Sequence, residues 1–255
     1  MSGNRFPLAL VLITSCILIS AAASTVNRPI WSKKGVSFPA YCTNDELRRC
    51  KPLRIPSPNG ASAIEITYST GPDDPDDASA WLRVVTNGNL VGEVGPVATG
   101  DVEIVWSPDS KAFFIDGSFN ASGWDTFAVH RLDDPDLGPG NISEEVGEDM
   151  VRSFPPCRAK DPFPGCAELA EEPDTYIGAV AIDWLGDSSH IIVMGEVPCS
   201  SSMGGIMCQV LGYELEVPSG KILRRMVPKE FAREWQHSMA WKFQDPGPPD
   251  FAASK

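Results

Sequence analysis

The sequence is poor in the residues from which most catalytic and metal centres are built. It contains three histidines, His130, His190 and His237, and none of them stands in a catalytic motif. No G-x-S-x-G sequence is present, which argues against the nucleophile turn of the α/β-hydrolases. No two cysteines have C-x-x-C spacing, and no glycine pattern matches a phosphate-binding loop or a dinucleotide site. These absences predict a protein without a cofactor or a bound metal.

Basic residues are also few. The chain has 21 lysines and arginines against 34 aspartates and glutamates, which gives a formal net charge of −13. Nucleic-acid phosphates and anionic lipids repel such a chain, so nucleic acid is not expected as a partner. One interpretation of the acidic cluster at Asp73, Asp74, Asp76 and Asp77 is a calcium-binding loop. They lack the glycine and the distal glutamate of an EF-hand, and a solvated acidic loop is favoured.

Long apolar runs are confined to the N-terminus. Arg5, the apolar run from Leu8 to Ile19 and the small residues Ala21 to Ala23 predict a signal peptide over residues 1–23. The run is shorter than the about 20 residues of a membrane span, so we expect an exported protein, periplasmic or secreted, without a transmembrane segment. As an alternative, Ile13 to Cys16 resembles a lipobox. Acylation of Cys16 would then make the protein a lipid-anchored lipoprotein.

The remaining cysteines form three couples that are close in sequence. They are Cys42 with Cys50, Cys157 with Cys166, and Cys199 with Cys208. Six cysteines in an exported chain predict disulfides, although sequence alone leaves fifteen connectivities open. Pairing within each couple is favoured because a short loop costs the least entropy to close. Zinc binding is the weaker alternative, given the spacing and the few histidines.

The most informative feature is an internal repeat. VEIVWSPDSKAFFIDG, residues 102–117, matches VAIDWLGDSSHIIVMG, residues 180–195, at a constant offset of 78 positions. The shared residues include Trp106 with Trp184 and Asp109 with Asp187. Each copy predicts a strand, a tight polar turn and a second strand, and the tryptophans are expected in the core. A unit of this kind cannot bury both faces alone, so the repeat predicts stacked sheets.

Similar patterns occur around the repeat. Residues 64–69, 81–86 and 90–94 are predicted strands, the last two joined by an Asn87-Gly88 hairpin turn. Further strands are predicted over 126–132 and 210–217. The domain organisation predicted is an irregular arm over 24–53 with one short strand, a β domain over 54–226, a disulfide-bearing insertion at 141–174, a helix over 227–243 and a frayed tail over 244–255.

The C-terminal segment changes from strand to helix periodicity. Phe231, Trp235, Met239 and Phe243 are spaced four apart, which places them on one face of an amphipathic helix. Trp241 lies off this face, so we expect an exposed aromatic residue and a candidate partner contact.

Several polar residues have expected positions. His130 alternates with apolar neighbours and is expected to be exposed. Glu144, Glu145, Glu148 and Asp149 are expected to be surface charges, on a segment with at most one short helical turn.

Residues Ile104 to Asp134 resemble a blade of a TolB-type β-propeller. In that family a strand ends in a W-S-P-D-G/S turn, supplied here by Trp106 to Ser110, and an outer strand carries the aromatic pattern found at Trp124 to Val129. The third unit departs from the pattern, with Leu185 and Gly186 in place of Ser and Pro. The resemblance implies an all-β fold of propeller-like antiparallel sheets, with about three blade-like units. Closed propellers have four to eight blades, so an open or incomplete array is expected.

Two functions are compatible with these features. The first is a non-catalytic interaction or scaffold module of the cell envelope that binds another envelope or secreted protein. The alternative is a secreted hydrolase or lyase acting on carbohydrate or peptide, which would require carboxylates converging from several blades.

Overall fold

The structure is a computed structural model that describes residues 29–43, 50–70, 77–95, 100–118, 125–134, 136–138, 140, 142–153, 177–197 and 208–243. The predicted signal peptide, Cys16 and the tail over 244–255 lie outside the described residues. So do residues 141 and 154–174 of the predicted insertion.

The described strands form three antiparallel sheets. Sheet 2 contains β1 (Val36–Pro39), β7 (Asp101–Trp106), β8 (Ala112–Ser118) and β9 (Asp125–Arg131). Sheet 1 contains β2 (Tyr41–Thr43), β3 (Leu53–Pro56), β4 (Ser62–Thr70), β5 (Asp77–Thr86) and β6 (Asn89–Val94). Sheet 3 contains β10 (Gly178–Trp184), β11 (His190–Glu196), β12 (Val210–Glu216) and β13 (Ile222–Met226). Two helices are described as well, α1 (Ser143–Ser153) and α2 (Pro228–Trp235). The predicted class, all-β with a C-terminal helix, is confirmed.

The turn between β5 and β6 shows how local sequence sets the hairpins. Asn87 and Gly88 have φ angles of 51° and 81°, the left-handed conformation that a two-residue hairpin turn requires. Asparagine and glycine tolerate this conformation better than other residues do. Thr86 pairs with Asn89 directly across the turn. The strands predicted on either side of Asn87-Gly88 are therefore found.

The N-terminal arm is more regular than its sequence indicated. β1 pairs with β7 at the edge of sheet 2, with Val36 opposite Ile104. β2 pairs with β5 of sheet 1, with Tyr41 opposite Ser79. The arm therefore contributes strands to two different sheets, where a single short strand was expected.

The sheets stack face to face with an apolar layer between neighbours. Successive residues of a strand point to opposite faces. Phe113 of β8 accordingly packs between sheets 1 and 2, and Phe114 packs between sheets 2 and 3. On β11, Ile191 faces sheet 2, whereas Ile192 faces a third layer under α2. Sheets 2 and 3 are thus buried on both faces.

The two helices pack on opposite faces of sheet 3, each over a glycine. A Cβ atom on Gly195 of β11 would lie 2.5 Å from Sδ of Met150 on α1. A Cβ atom on Gly212 of β12 would lie 2.1 Å from Cδ2 of Phe231 on α2. Glycine is therefore required at both positions for the helices to approach the sheet. α1 has 11 residues, where only a short helical turn was predicted.

The C-terminal helix is shorter than predicted. α2 ends at Trp235, so the prediction of a helix reaching Phe243 is wrong beyond that residue. The side chain of Gln236 stabilises the return of the chain: Nε2 donates to the carbonyl of Trp241, and Oε1 accepts the N–H of Phe243, both at 2.6 Å. Met239 and Phe243 still share the buried layer of Phe231. The spacing of these residues reflects shared burial without a continuous helix.

The outer faces of the stack differ in chemistry. The outward face of sheet 1 carries the ion pairs Arg54–Glu65 and Arg83–Glu93, and Glu65 lies opposite Arg83 on the neighbouring strand. The outer face of sheet 3 is apolar and is covered by α2 and by Trp31. The assignment of the sheets as propeller blades, and the closure of a ring, stay predictions.

Candidate functional site

The tryptophans of the repeat lie at contacts between neighbouring sheets. Trp106 and Trp184 end β7 and β10 and are buried. Nε1 of Trp106 donates to the carbonyl of Ile55 on β3, and Nε1 of Trp184 donates to the carbonyl of Val105 on β7, both at 3.2 Å. Each tryptophan therefore bonds its own sheet to the preceding sheet in the chain.

The aspartates of the repeat shape their turns. Oδ1 of Asp109 accepts the N–H of Lys111 at 3.3 Å, and Oδ1 of Asp187 accepts the N–H of Ser189 at 2.8 Å. These are Asx turns, in which the side chain bonds its own backbone two residues on. The hydroxyl of Ser188 also donates to Oδ2 of Asp109 at 2.9 Å, which links the turns of sheets 2 and 3.

The electrostatics of Asp109 agree with a structural role. Burial alone would raise the pKa of Asp109, but hydrogen bonds from Ser107, Ser188 and Lys111, with the positive charge of Lys111, lower it. Donors that favour the charged form keep this carboxylate ionised. Asp109 therefore serves the contact between two turns.

Glu103 on β7 is a fully buried carboxylate that binds the N-terminal segment. It accepts the backbone N–H groups of Ile30, Trp31 and Ser32, at 3.0 Å from Trp31 and 2.7 Å from Ser32. Gly35 leaves the space this carboxylate occupies, because a Cβ atom there would lie 2.0 Å from Cδ of Glu103. Burial raises the pKa of Glu103, and the three N–H groups offset only part of that effect.

Asp183 on β10 binds both ends of the described chain. Nζ of Lys34 lies 2.7 Å from its Oδ1, and the hydroxyl of Ser238 donates to its Oδ2 at 2.8 Å. Ser32 forms a β-bridge with Met239. We call residues 30–35 and 236–240 together the terminal clasp, because two buried carboxylates and this bridge hold them against each other.

Asp149 was expected at the surface, and that expectation is wrong. It is 7% exposed and binds Arg225 of β13, whose Nε lies 2.7 Å from Oδ2 and whose Nη2 bonds the other oxygen. Tyr213 lies beside this pair, and burial together with the charge of Asp149 raises its pKa well above the ordinary value. The ion pair ties α1 to the outer strand of sheet 3.

His130 was expected to be exposed, and this expectation is also wrong. The residue is 2% exposed, its ring stacks on Phe113 at 5.1 Å between centroids, and Nδ1 lies 2.8 Å from the carbonyl of Leu137. Burial lowers the pKa of His130. It is thus a buried ring that fixes the loop after β9.

A cavity of about 150 Å³ lies among the described residues, between β9 and the turn after β12. Its lining includes Val129, Arg131, Asp134, Ile142 and Pro218. Arg131 is engaged by Asp133, with 2.6 Å between Nη2 and Oδ2. The lining contains one carboxylate, that of Asp134. This cavity therefore lacks the converging carboxylates that a hydrolase or lyase would need.

Trp241, the predicted partner contact, is half-buried and packs against the apolar layer under α2. The exposed large apolar residues of the described chain are Leu90, Leu223 and Val227. Leu223 lies on β13 and is 41% exposed, and Val227 follows that strand and is 58% exposed. The outer strand of sheet 3 is therefore a better candidate contact than Trp241.

Ion pairs join this outer strand to both helices. Arg224 binds Glu230 and Glu234 of α2, with 2.8 Å between its Nη1 and Oε2 of Glu234. Arg225 binds Asp149 of α1 on the other face. We call the surface formed by Leu223 and Val227 the β13 edge. It is the candidate functional site.

Of the predicted disulfides, the described residues bear on two couples. Cys42 and Cys50 are placed as a disulfide, with 6.4 Å between their Cα atoms. Cys208 is disulfide-bonded as well. Cys199, Cys157 and Cys166 lie outside the described residues, so their pairings stay predictions.

Within the described part of the chain, neither helix has the length and apolar character needed to cross a bilayer. The same residues contain no group of three or more His, Cys, Asp or Glu side chains arranged to hold a metal ion.

Comparison with known proteins adds no relative: no family model, no curated protein and no solved structure matches this sequence.

Sequence reasoning missed the β13 edge. Leu223 and Val227 stand in ILRRMV, which reads as an ordinary strand end. The sequence does contain one signal for this surface, namely two apolar residues spaced four apart around a pair of arginines. The contacts of these arginines with α1 and α2 are needed to show that Leu223 and Val227 are the side chains exposed to solvent.

Proposed function

We propose that this protein is a non-catalytic, exported interaction or scaffold module that binds another envelope or secreted protein. The scaffold role is supported by the buried ionisable groups, which bond separate structural elements to one another. Glu103 and Asp183 hold the terminal clasp, and Asp149 holds α1 against Arg225. Asp116 accepts the N–H of Ala181 at 2.8 Å, which joins sheets 2 and 3. These side chains stabilise contacts between elements.

The binding role is supported by the β13 edge. Exposed apolar residues rimmed by charged ones are typical of protein contact surfaces. Leu223 and Val227 have this setting, with charged residues of α1 and α2 on either side. The export part of the proposal depends on the predicted signal peptide, with which the Cys42–Cys50 disulfide is compatible. Acylation at Cys16 stays the alternative for the N-terminus.

The hydrolase or lyase alternative stays a hypothesis from sequence. It needs two or three carboxylates in one pocket, and no observation on the described residues favours it over the interaction role.

The proposed function is tested by cross-linked affinity capture of the mature protein from its native envelope, with captured proteins identified by mass spectrometry. The test variant is Leu223→Ser with Val227→Ser, and Leu90→Ser on sheet 1 is the matched control, because Leu90 is 50% exposed. We expect one stoichiometric partner with the wild type and the control, and its loss with the test variant at an unchanged melting temperature. Absence of a partner with the folded wild type would overturn the proposal.

A further inference from the structure

We propose that the cavity between β9 and the turn after β12 binds the primary ammonium end of an unbranched aliphatic chain. Free alkylamines and lysine side chains share this chemistry. The inference goes beyond the proposed function, because it assigns a ligand class to a site that has no residue in common with the β13 edge.

The walls of the cavity suit an aliphatic chain. Val129 of β9, Ile142 and Pro218 give it apolar walls, and Gly138 and Gly140 line it without side chains. The N–H of Gly140 donates to the carbonyl of Val129 at 3.0 Å, which fixes this loop against the strand. The volume of about 150 Å³ equals that of engineered apolar cavities that take up benzene, so a ligand of about six non-hydrogen atoms fits.

The carboxylate of Asp134 lines the cavity and is paired with no cation of the described residues. Its Oδ1 accepts the N–H of Asp136 at 3.0 Å, which orients the side chain. Its Oδ2 lies 3.4 Å from a Cβ position on Gly138, another lining residue. This second oxygen is therefore the acceptor that the cavity presents to a donor on a ligand.

The positive charge in the lining, that of Arg131, is already neutralised. Its Nε lies 2.8 Å from Oδ1 of Asp133, and its Nη2 lies 2.6 Å from Oδ2. This two-point pairing matches the geometry of both groups. His130 points to the opposite face of β9, where it stacks on Phe113, and burial lowers its pKa, so it is neutral at pH 7. The charge left at the cavity is that of Asp134.

The elements around the cavity do not cancel this negative charge. The turn after β12 carries one residue of each sign, Glu216 and Lys221. α1 begins just beyond Ile142, and its acidic first turn offsets the positive end of the helix dipole. Lys111, before β8, lies 3.7 Å from Asp109. An ammonium group therefore complements the free carboxylate, whereas an anionic ligand would meet a like charge.

The test is a titration of the ¹⁵N-labelled mature protein at pH 7, followed by the NMR shifts of its backbone amides. The probe is n-pentylammonium, which should shift the amides of Val129, Arg131, Gly138 and Gly140 with a dissociation constant of about 1 mM. Pentan-1-ol lacks the charge and methylammonium lacks the chain, so each should bind at least about tenfold more weakly. Pentanoate should not bind.

A capped tripeptide with a central lysine distinguishes the two sources of the ligand. Binding at least as tight as that of n-pentylammonium would assign the cavity to a lysine side chain of a partner. Weaker binding would assign it to a free amine.

Protein variants complete the test. Asp134→Asn keeps an acceptor for the N–H of Asp136 but removes the charge, so it should weaken n-pentylammonium at least about tenfold and leave pentan-1-ol unchanged. Asp136→Asn is the matched control, because Asp136 is exposed and does not line the cavity.

Three results would overturn the inference: no shift of the lining amides with n-pentylammonium, equally tight binding of pentan-1-ol or pentanoate, or equal losses for Asp134→Asn and Asp136→Asn. The ligand series on the wild type decides the question even if Asp134→Asn lowers the melting temperature. None of these outcomes bears on partner capture through Leu223 and Val227, so the proposed function is tested separately.

Discussion

The carboxylate of Glu103 accepts N–H groups from three successive residues that lie 71 to 73 positions earlier in the chain. One buried side chain thereby fixes the path of the N-terminal segment before β1 begins. Replacing it with alanine would leave these buried donors without an acceptor, at a cost of about 1–3 kcal/mol for each unsatisfied group.

We therefore expect Glu103→Ala to lower the free energy of unfolding by about 3 kcal/mol in urea denaturation at neutral pH. The matched control is Glu93→Ala, because Glu93 is half exposed in a surface ion pair on sheet 1 and its loss should cost at most about 1 kcal/mol. Equal losses for the two variants would contradict the structural role of Glu103.

The same residue predicts a pH dependence. Burial raises the pKa of Glu103 above its ordinary value of 4.5, so the folded state binds a proton more tightly than the unfolded state. The cost of keeping the charged form buried is fully present above the raised pKa and disappears below pH 4.5. The difference in unfolding free energy between the wild type and Glu103→Ala should therefore grow as the pH falls through this window. A flat difference between pH 4 and pH 8 would contradict the shift.

The sequence predicts the burial and contacts of some residues and not of others. The Asp109 and Asp187 turns follow from local chemistry, because each side chain bonds its own backbone two residues on. Asp149 and His130 could not be placed in the same way. Asp149 pairs with Arg225, 76 positions away in the chain. Without knowledge of that contact, an acidic helical segment is predicted to lie at the surface.

At the scale of elements, sheet 3 is held between two helices that each approach a glycine. Gly212→Ala should lower the free energy of unfolding by about 2 kcal/mol, because overpacking of this kind costs about 1–3 kcal/mol. The new methyl group would meet the ring of Phe231 and displace α2. Gly140→Ala is the control, since a Cβ atom there is 3.5 Å from Ile142, an ordinary contact.

A second substitution separates overpacking from other causes. Phe231→Ala removes the Cδ2 and Cγ atoms that a methyl group at residue 212 would meet, so the double variant should lose less stability than the sum of the two single losses. Thermal denaturation of the four proteins measures this coupling. Additive losses would mean that the glycine is needed for a reason other than the close approach of α2.

Elements also show why hairpins were predictable and helix ends were not. The strands around Asn87-Gly88 are encoded by alternation and by a turn sequence a few residues long. The end of α2 depends on Gln236, whose side chain binds Trp241 and Phe243. The pairing of β1 with β7 joins segments far apart in sequence, so the regularity of the N-terminal arm had no local signal.

At the scale of the whole molecule, one apolar layer lies between sheets 1 and 2, a second between sheets 2 and 3, and a third under α2. The Cys42–Cys50 disulfide closes a loop at sheet 1, the outermost sheet. Cys42→Ser with Cys50→Ser should lower the free energy of unfolding by about 2–3 kcal/mol, because the bond closes a short loop and restricts the unfolded chain. Chemical denaturation with and without reductant measures this loss. If the double variant and the oxidised wild type unfold at the same urea concentration, the disulfide is not a stabilising element.

The terminal clasp has a consequence for the order in which the chain acquires its structure. Trp31 and Ser32 are synthesised long before the residues they pair with, Ala240 and Met239. Contacts between such distant positions close late, because the entropy of a long loop must be lost first. The apolar face of sheet 3 therefore stays uncovered until α2 and residues 236–243 have been synthesised. During this interval the exposed apolar face favours misassembly.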